Sequence, residues 1–399
     1  MINNEQYWYE YKTRPALSLD LISTRRRALP ESLDGVWHYH PDPYDTARRD
    51  GWFSEPYRNA SNERIPWDFD FEHWPTMRLP ATWNVEDSAL FHYEESVVFA
   101  RRFDCARGNE GKVLIRCGAI AYAATVFLNG TYVGHHAGGS TPFVIDVTGT
   151  IAAENLIVIC VENRRGTQRV PALNTDWFNY GGIHRGIEIL RLPQRYIQHM
   201  FAGLVPGSDH KKLFLDIFAG GLSETNGTEA AIPATVTIPE LELNVVIPLE
   251  PGHGRIELEA TPELWCPHNP KRYQIITSLE DDTVIDWVGF REVRRAGDQI
   301  LLNGEPVFLR GISMHEESVE HGRTLSEAEI RENMRLVKEL GGNFARLAHY
   351  PHSETASRIA DEVGLLLWEE VPVYWSIDFA SEEAFADANN QLQELILRD

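Results

Sequence analysis

The chain has 399 residues, more than a single core usually serves, and its 43% apolar content suffices to fill about two or three cores. Its 37 basic against 59 acidic residues give a formal charge of −22, which repels nucleic acid phosphates and anionic lipid alike and excludes polyanion binding. Four scattered cysteines, Cys105, Cys117, Cys160 and Cys266, exclude a disulfide framework or a paired-cysteine zinc site and read as reduced core thiols.

The N-terminal "MINNEQYWYEYKTRPA" has no basic stretch leading into an apolar one, and no segment is apolar for long enough to cross a bilayer. The expectation is a cytoplasmic protein without a membrane partner. Sequons at Asn59, Asn129 and Asn226 matter only in a secretory compartment, and Asn129 and Asn226 precede glycine, where a turn is the stronger reading.

From about residue 30 to 193 the apolar runs are short, aromatic and separated by turn signals, as in "KVLIRCG", "AATVFLNGTYVG", "TPFVIDVTG" and "NLIVICVENR". This pattern predicts a β-sandwich of two packed antiparallel sheets, with Asn129-Gly130 as a two-residue hairpin turn. A second β segment, 194–295, holds "YIQHMFAGL", "KLFLDIF", "AIPATVTIP", "LNVVIPLE", "RIELEA", "YQIITSL" and "VIDWVGFREV", a count that fits an immunoglobulin-like sandwich. Pro262, Pro267 and Pro270 around "ELWCPHNP" mark a long connecting loop.

After residue 296 the period switches from 2 to 3.6. "QILLNGEPVFLRGI" reads as a hairpin around Asn303-Gly304 leading into a strand, and Ser326 with Glu329 forms a capping box for a helix whose inward face is Ile330, Met334, Val337 and Leu340. Gly341 ends it, "NFARLA" is the next strand, and Ser353 opens a helix with Ala356, Ile359, Ala360 and Val363 inward, stopped by Gly364. "LLLWEEV" is a third strand, too continuously apolar to face water, and Ser381 opens a helix with Phe385, Ala388, Leu392, Leu395 and Ile396 inward. Segment 296–399 thus reads as three βα units in series.

Parallel βα units put every strand's C-terminal end on one face. There the polar clusters collect: His315, Glu316 and Glu317; Arg346, His349, Tyr350 and His352; Glu369, Glu370, Tyr374 and Trp375. A lone His-Tyr-Pro is a plausible strand cap, but three clusters at three strand ends point to a ligand mouth, and Tyr374 and Trp375 beside carboxylates suit the apolar face of a sugar ring. His135-His136 lacks a second ligand cluster, and "GHHAGGS" is not followed by a helix-opening Gly-Lys-Ser, so neither metal nor cofactor is expected.

The stretches "LDGVWHYH", "LPATWN", "VFLNGTYVGHHAGGSTPFVIDVT", "DWFNYGGIHRGIEI", "ELWCPHNPKRY", "VGFREV", "LRGISMHEES" and "NFARLAHYPH" occur in an order that resembles glycoside hydrolase family 2, the β-galactosidases, β-glucuronidases and β-mannosidases. The resemblance runs over nearly the whole chain. It implies a jelly-roll sugar-binding domain (1–193), an immunoglobulin-like sandwich (194–295) and the first three units of a (β/α)₈ TIM barrel (296–399). "DWFNYGGIHR" and "DGWFSEPYRN" look more like the β-glucuronidases than the large β-galactosidases, which stay the alternative. Leu347 departs from the small or hydroxyl residue common between the Arg and the His-Tyr-Pro.

By this resemblance Asp176 and His349 occupy positions that reach the non-reducing sugar, supported by Arg346; strand-end geometry adds His315, Tyr374 and Trp375. The same resemblance places both catalytic glutamates of a retaining, exo-acting enzyme at later strand ends, beyond Asp399, so the chain on its own is expected to be inactive. Position alone would nominate Glu316 or Glu317 with Glu369 or Glu370. A different class of reading is a non-catalytic carbohydrate-binding protein. The expected partner is a carbohydrate, and homo-oligomerisation stays open.

Overall fold

The structure, a computed structural model, describes residues 30–53, 70–105, 111–221 and 231–399. Asn59, Asn226, the N-terminal stretch and most of "DGWFSEPYRN" lie outside the described residues. No helix among the described residues is long and apolar enough to cross a membrane.

The first segment folds as two facing antiparallel sheets. One runs in the order Glu31–Ser32, Gly182–Leu192, Lys112–Ala121, Phe143–Asp146, with Ala81–Thr82 also on Gly182–Leu192. The other runs Thr76–Leu79, Gly35–Asp42, Ser96–Asp104, Glu154–Glu162, Ala123–Leu128, Thr131–Ala137. Because side chains alternate along a strand, one face of each sheet delivers Trp37, Phe99, Ile115, Val126, Ile157, Ile159, Ile183 and Ile187 to a shared core. Asn129 and Gly130 have φ of 52° and 77° between their paired strands, the positive values a two-residue hairpin needs.

A second sandwich packs the sheet Tyr196–Leu204, Lys212–Gly220, His253–Glu259 on the sheet Leu243–Leu249, Ile232–Ile238, Tyr273–Leu279, Asp282–Val288. Its core includes Leu213, Leu215, Val236, Ile247 and Ile275. The strand that "VIDWVGFREV" suggested breaks at Val288, and Val293–Ala296 pairs instead with Gln299–Leu302 in a small sheet of its own. The proline-rich loop is ordered by Trp265, fully buried, whose indole N–H donates to the Asp361 carbonyl at 2.9 Å and ties this sandwich to the helices that follow. Of the cysteines, Cys105, Cys117 and Cys160 are buried, but Cys266 in this loop is only half-buried, with its sulfur 3.3 Å from His268 Nε2, so it is not a core thiol.

The last segment is a parallel sheet of Gly311–Met314, Phe344–Leu347 and Leu366–Glu369, alternating with helices Glu327–Glu339, Glu354–Val363 and Glu382–Arg398. The capping box is present: the Glu329 N–H donates to Ser326 Oγ at 3.2 Å and the Ser326 N–H to the Glu329 carboxylate at 2.8 Å. Three of the expected inward faces need correction. Leu340 is 75% exposed, because the helix hands over to Gly341 before that position turns inward. Trp368 is 59% exposed despite its apolar strand, because the pleat alternates and the sheet face away from the helices is open at this position. In the last helix Phe385, Leu392 and Ile396 are exposed, whereas Asp387, Asn390, Gln391 and Glu394 are buried beside Leu395. That helix turns its polar face to the first sandwich.

Candidate active site at the strand ends

Arg346, at the end of the second parallel strand, holds Glu370 in a two-pronged contact: Nε donates to Oε1 at 2.6 Å and Nη2 to Oε2 at 3.0 Å. His349 joins through Nδ1, 3.0 Å from Arg346 Nη2 and 3.1 Å from Glu370 Oε2, and Arg346 Nη1 donates to Ser313 Oγ at 3.2 Å. Burial pushes the Glu370 carboxyl up, but the bonds from Arg346 and His349 outweigh it and hold the group below its usual range.

The other wall comes from the first sandwich, through the loop that carries "DWFNYGG". Asn163 and Asn179 exchange amide-to-carbonyl bonds at 2.8 and 3.3 Å, and the Gly181 N–H donates to Asn84 Oδ1 at 2.8 Å. Gly181 has no room for a side chain, since a Cβ there would meet the Trp83 indole at 2.0 Å. Anchored in this way, the loop presents Asp176, which accepts from the Tyr374 hydroxyl at 2.7 Å, and the Asn174 N–H, which donates to Ser376 Oγ at 3.3 Å. The bond to Asp176 raises the Tyr374 phenol above its usual range.

Trp177 is the residue that sequence reasoning missed. Its ring lies 5.0 Å from Tyr374, 5.4 Å from His349, 5.8 Å from Tyr350 and 6.2 Å from His315, so one indole from the first sandwich touches all three barrel-side clusters. The signal was its place beside Asp176 in the same motif. His315 Nδ1 is 3.3 Å from the Tyr350 hydroxyl, and burial lowers its imidazole pKa. Trp375 stacks on Tyr374 at 5.1 Å with φ of 36° and is 71% exposed at the rim. The structure therefore brings Asp176, His315, Arg346, His349, Tyr374 and Trp375 to one mouth.

It does not bring all the acidic candidates there. Glu316 is buried at the junction with the first sandwich, accepting from Arg185 Nη2 at 2.5 Å and from the Ser353 N–H at 2.8 Å. Burial alone would raise it, yet Arg185 holds it below the usual carboxylate range. Glu369 turns to the helix layer, accepting from Ser357 Oγ at 2.8 Å, where burial and the Asp399 charge push it up to about 7. His352 likewise leaves the mouth: it is buried, donates Nε2–H to the Ala348 carbonyl at 2.9 Å, and is pushed down to about 4 by burial. Alternation along the third strand explains Glu369, which faces opposite to Trp368, whereas Glu316 and His352 lie beyond their strand ends and are held by Arg185 and the Ala348 carbonyl. Glu317 stays half-buried, its charge within reach of His315 and Tyr180.

The polar face of the last helix closes the junction. The Tyr122 hydroxyl donates to Asp387, which also accepts from the Val170 N–H at 2.8 Å and from the Gln391 side chain at 3.0 Å. His136, read from the sequence as no metal ligand, donates to Glu394 at 2.9 Å, and the Thr141 hydroxyl bonds the same carboxylate. Among the described residues no cluster of three metal-ligating side chains forms.

Residues 30–193 match the model of the glycosyl hydrolases family 2 sugar binding domain, and residues 292–395 match the TIM barrel domain of the same family. The chain is 29% identical to a putative β-glucuronidase of Formosa agariphila over 81% of its own length and 41% of that protein. It is 28% identical to a β-galactosidase of Thermoanaerobacter pseudethanolicus over 85% of its length and 48% of that protein. A solved β-glucuronidase from an uncultured Clostridium sp. superposes with a TM-score of 0.79 at 25% identity, covering 95% of this chain and 66% of that one. The chain thus spans between 41% and 66% of the length of these three relatives.

Proposed function

Because this chain belongs to glycosyl hydrolases family 2, we propose that it forms the substrate-binding mouth of an exo-acting β-glycosidase of the β-glucuronidase type, with a β-galactosidase of the same family as the alternative. On this reading the first sandwich is a jelly-roll sugar-binding domain, the second is immunoglobulin-like, and the parallel segment is the first three units of a (β/α)₈ barrel. The observation that carries the proposal is the joint wall: Asp176 bonded to Tyr374 at 2.7 Å, and Trp177 packed on His349, at the C-terminal ends of parallel strands. Aromatic faces flanked by a carboxylate and an imidazole fit a sugar ring, whose axial hydrogens pack on the rings while its hydroxyls bond the polar groups. Two of the three relatives described above carry the β-glucuronidase name, and β-galactosidase is the name of the third.

A retaining glycosidase needs two carboxyl groups about 5–5.5 Å apart, one as acid/base and one as nucleophile. Glu316 and Glu370 are each bound by an arginine and Glu369 faces the helix layer, so these carboxylates are not poised as such a pair. We assign the reacting pair to barrel residues outside 1–399. The test is turnover of aryl β-glucuronide and aryl β-galactoside by a form that extends through all eight barrel units. Activity there, lowered in kcat/KM by about 10²-fold or more (about 3 kcal/mol) on Asp176→Ala or His349→Ala, supports the reading; undiminished activity in both variants contradicts it.

A further inference from the structure

Resting on the reading of this mouth as a sugar site, we infer that Glu370 is a positioning residue for His349: it takes the Nδ1 proton and leaves the Nε2 lone pair facing the mouth as the acceptor for a sugar hydroxyl. Nδ1 stands at the corner of a near-equilateral triangle with Arg346 Nη2 and Glu370 Oε2, the three separations being 3.0, 3.1 and 3.0 Å. A guanidinium only donates and an ionised carboxylate only accepts, so Nδ1 must offer a lone pair to the first or a proton to the second. It cannot do both.

The surrounding bonds decide between the two. Three of the five Arg346 N–H groups have acceptors without His349, Nε–H on Glu370 Oε1, Nη2–H on Glu370 Oε2 and Nη1–H on Ser313 Oγ, and the Nη2–H that reaches Nδ1 sits on a side chain 40% exposed, where water can take it, whereas the Glu370 carboxylate is only 18% exposed. Glu370 Oε2 has lone pairs for a second donor and accepts Nη2–H and Nδ1–H together. With the other tautomer, the Nδ1 lone pair would sit 3.1 Å from a carboxylate oxygen, an acceptor facing an acceptor. The proton therefore belongs on Nδ1.

Nε2 makes no hydrogen bond among the described residues, and the ring is held between Trp177 at 5.4 Å, His315 at 5.3 Å and Tyr374 at 4.8 Å. Its free nitrogen is thus fixed in direction by packing and in character by Glu370, the arrangement by which a carboxylate sets the tautomer of an imidazole from behind. Asp176 and His349 then both act as acceptors, which selects a ligand whose edge presents hydroxyl donors.

The experiment is nitrogen NMR of the 399-residue chain with labelled histidine, the His349 signals being assigned by their loss in His349→Gln. In mildly alkaline buffer the wild type is expected to show His349 protonated at Nδ1 alone. In Glu370→Ala the carboxylate acceptor is gone and the Arg346 donor is the partner left to Nδ1, so the proton is expected to move to Nε2. An Nε2–H tautomer or an imidazolium in the wild type overturns the inference without need of any variant, and so does an Nδ1–H tautomer unchanged by Glu370→Ala. Adding D-glucuronic acid should shift the Nε2 resonance. The predicted tautomer without any sugar response would sink the proposed function and leave the role of Glu370 standing.

Discussion

The helices Glu354–Val363 and Glu382–Arg398 follow adjacent strands of one parallel sheet, yet they bury opposite kinds of surface. The first turns Ala356, Ile359 and Ala360 onto the strands beneath it, as an apolar stripe should. The second leaves Phe385 74% and Ile396 63% exposed and buries Asp387, Gln391 and Glu394 against the first sandwich. The difference lies in the neighbour. Tyr122, His136, Thr141 and the Val170 backbone offer polar partners, so a polar helix face is the complementary one.

The comparison breaks most severely at Glu394. Changing it to Ala removes the acceptor of His136 and one of the two acceptors of Thr141, whose hydroxyl keeps the Gly138 carbonyl, and leaves the buried imidazole unpaired, an expected loss of about 3–5 kcal/mol. Urea unfolding of the purified chain measures it, and a loss under about 1 kcal/mol would show the polar face to be an incidental contact. On the apolar helix, Ile359→Ala is expected to cost about 2–5 kcal/mol by the same measurement, because Ile359 is 1% exposed in the core.

A third expectation concerns His352, just ahead of the apolar helix. Its folded pKa of about 4 lies below the ordinary 6.5, so above pH 6.5 both folded and unfolded states are neutral and its contribution is complete. As pH falls from 6.5 to 4, the unfolded chain takes the proton first, and stability drops by about 3 kcal/mol over that window. The acid-induced drop should shrink by that amount in His352→Gln, which can still donate to the Ala348 carbonyl; an equal drop in both proteins would remove His352 from the account. The smallest effect is expected for Ile396→Ala, within about 0.5 kcal/mol of wild type, since its side chain faces outward.

How far the sequence reaches follows from the same two helices. Local devices were legible: the Ser326–Glu329 capping box, the Asn303–Gly304 turn, and the left-handed stops at Gly341 and Gly364 all depend on neighbours within a few residues. The mouth was legible where strand ends or the family resemblance pointed to it, as for Asp176, Arg346 and His349. What escaped depends on partners far along the chain. His136 and Glu394 are 258 residues apart and Arg185 and Glu316 are 131 apart, and no periodicity within a helix or strand announces such a partner. Trp177 escaped for the same reason, its contacts lying on strand ends more than a hundred residues downstream.

The central claim is that one sugar site is shared between the first sandwich and the parallel segment, with neither wall sufficient alone. The most direct measurement is binding of D-glucuronic acid to the 399-residue chain by titration calorimetry, repeated with Asp176→Ala from the first wall and His349→Ala from the second. The account predicts binding at one site in the wild type, abolished or strongly weakened by each change, with both variants folded by circular dichroism. No binding in the wild type, or binding that survives either change at full strength, would contradict it.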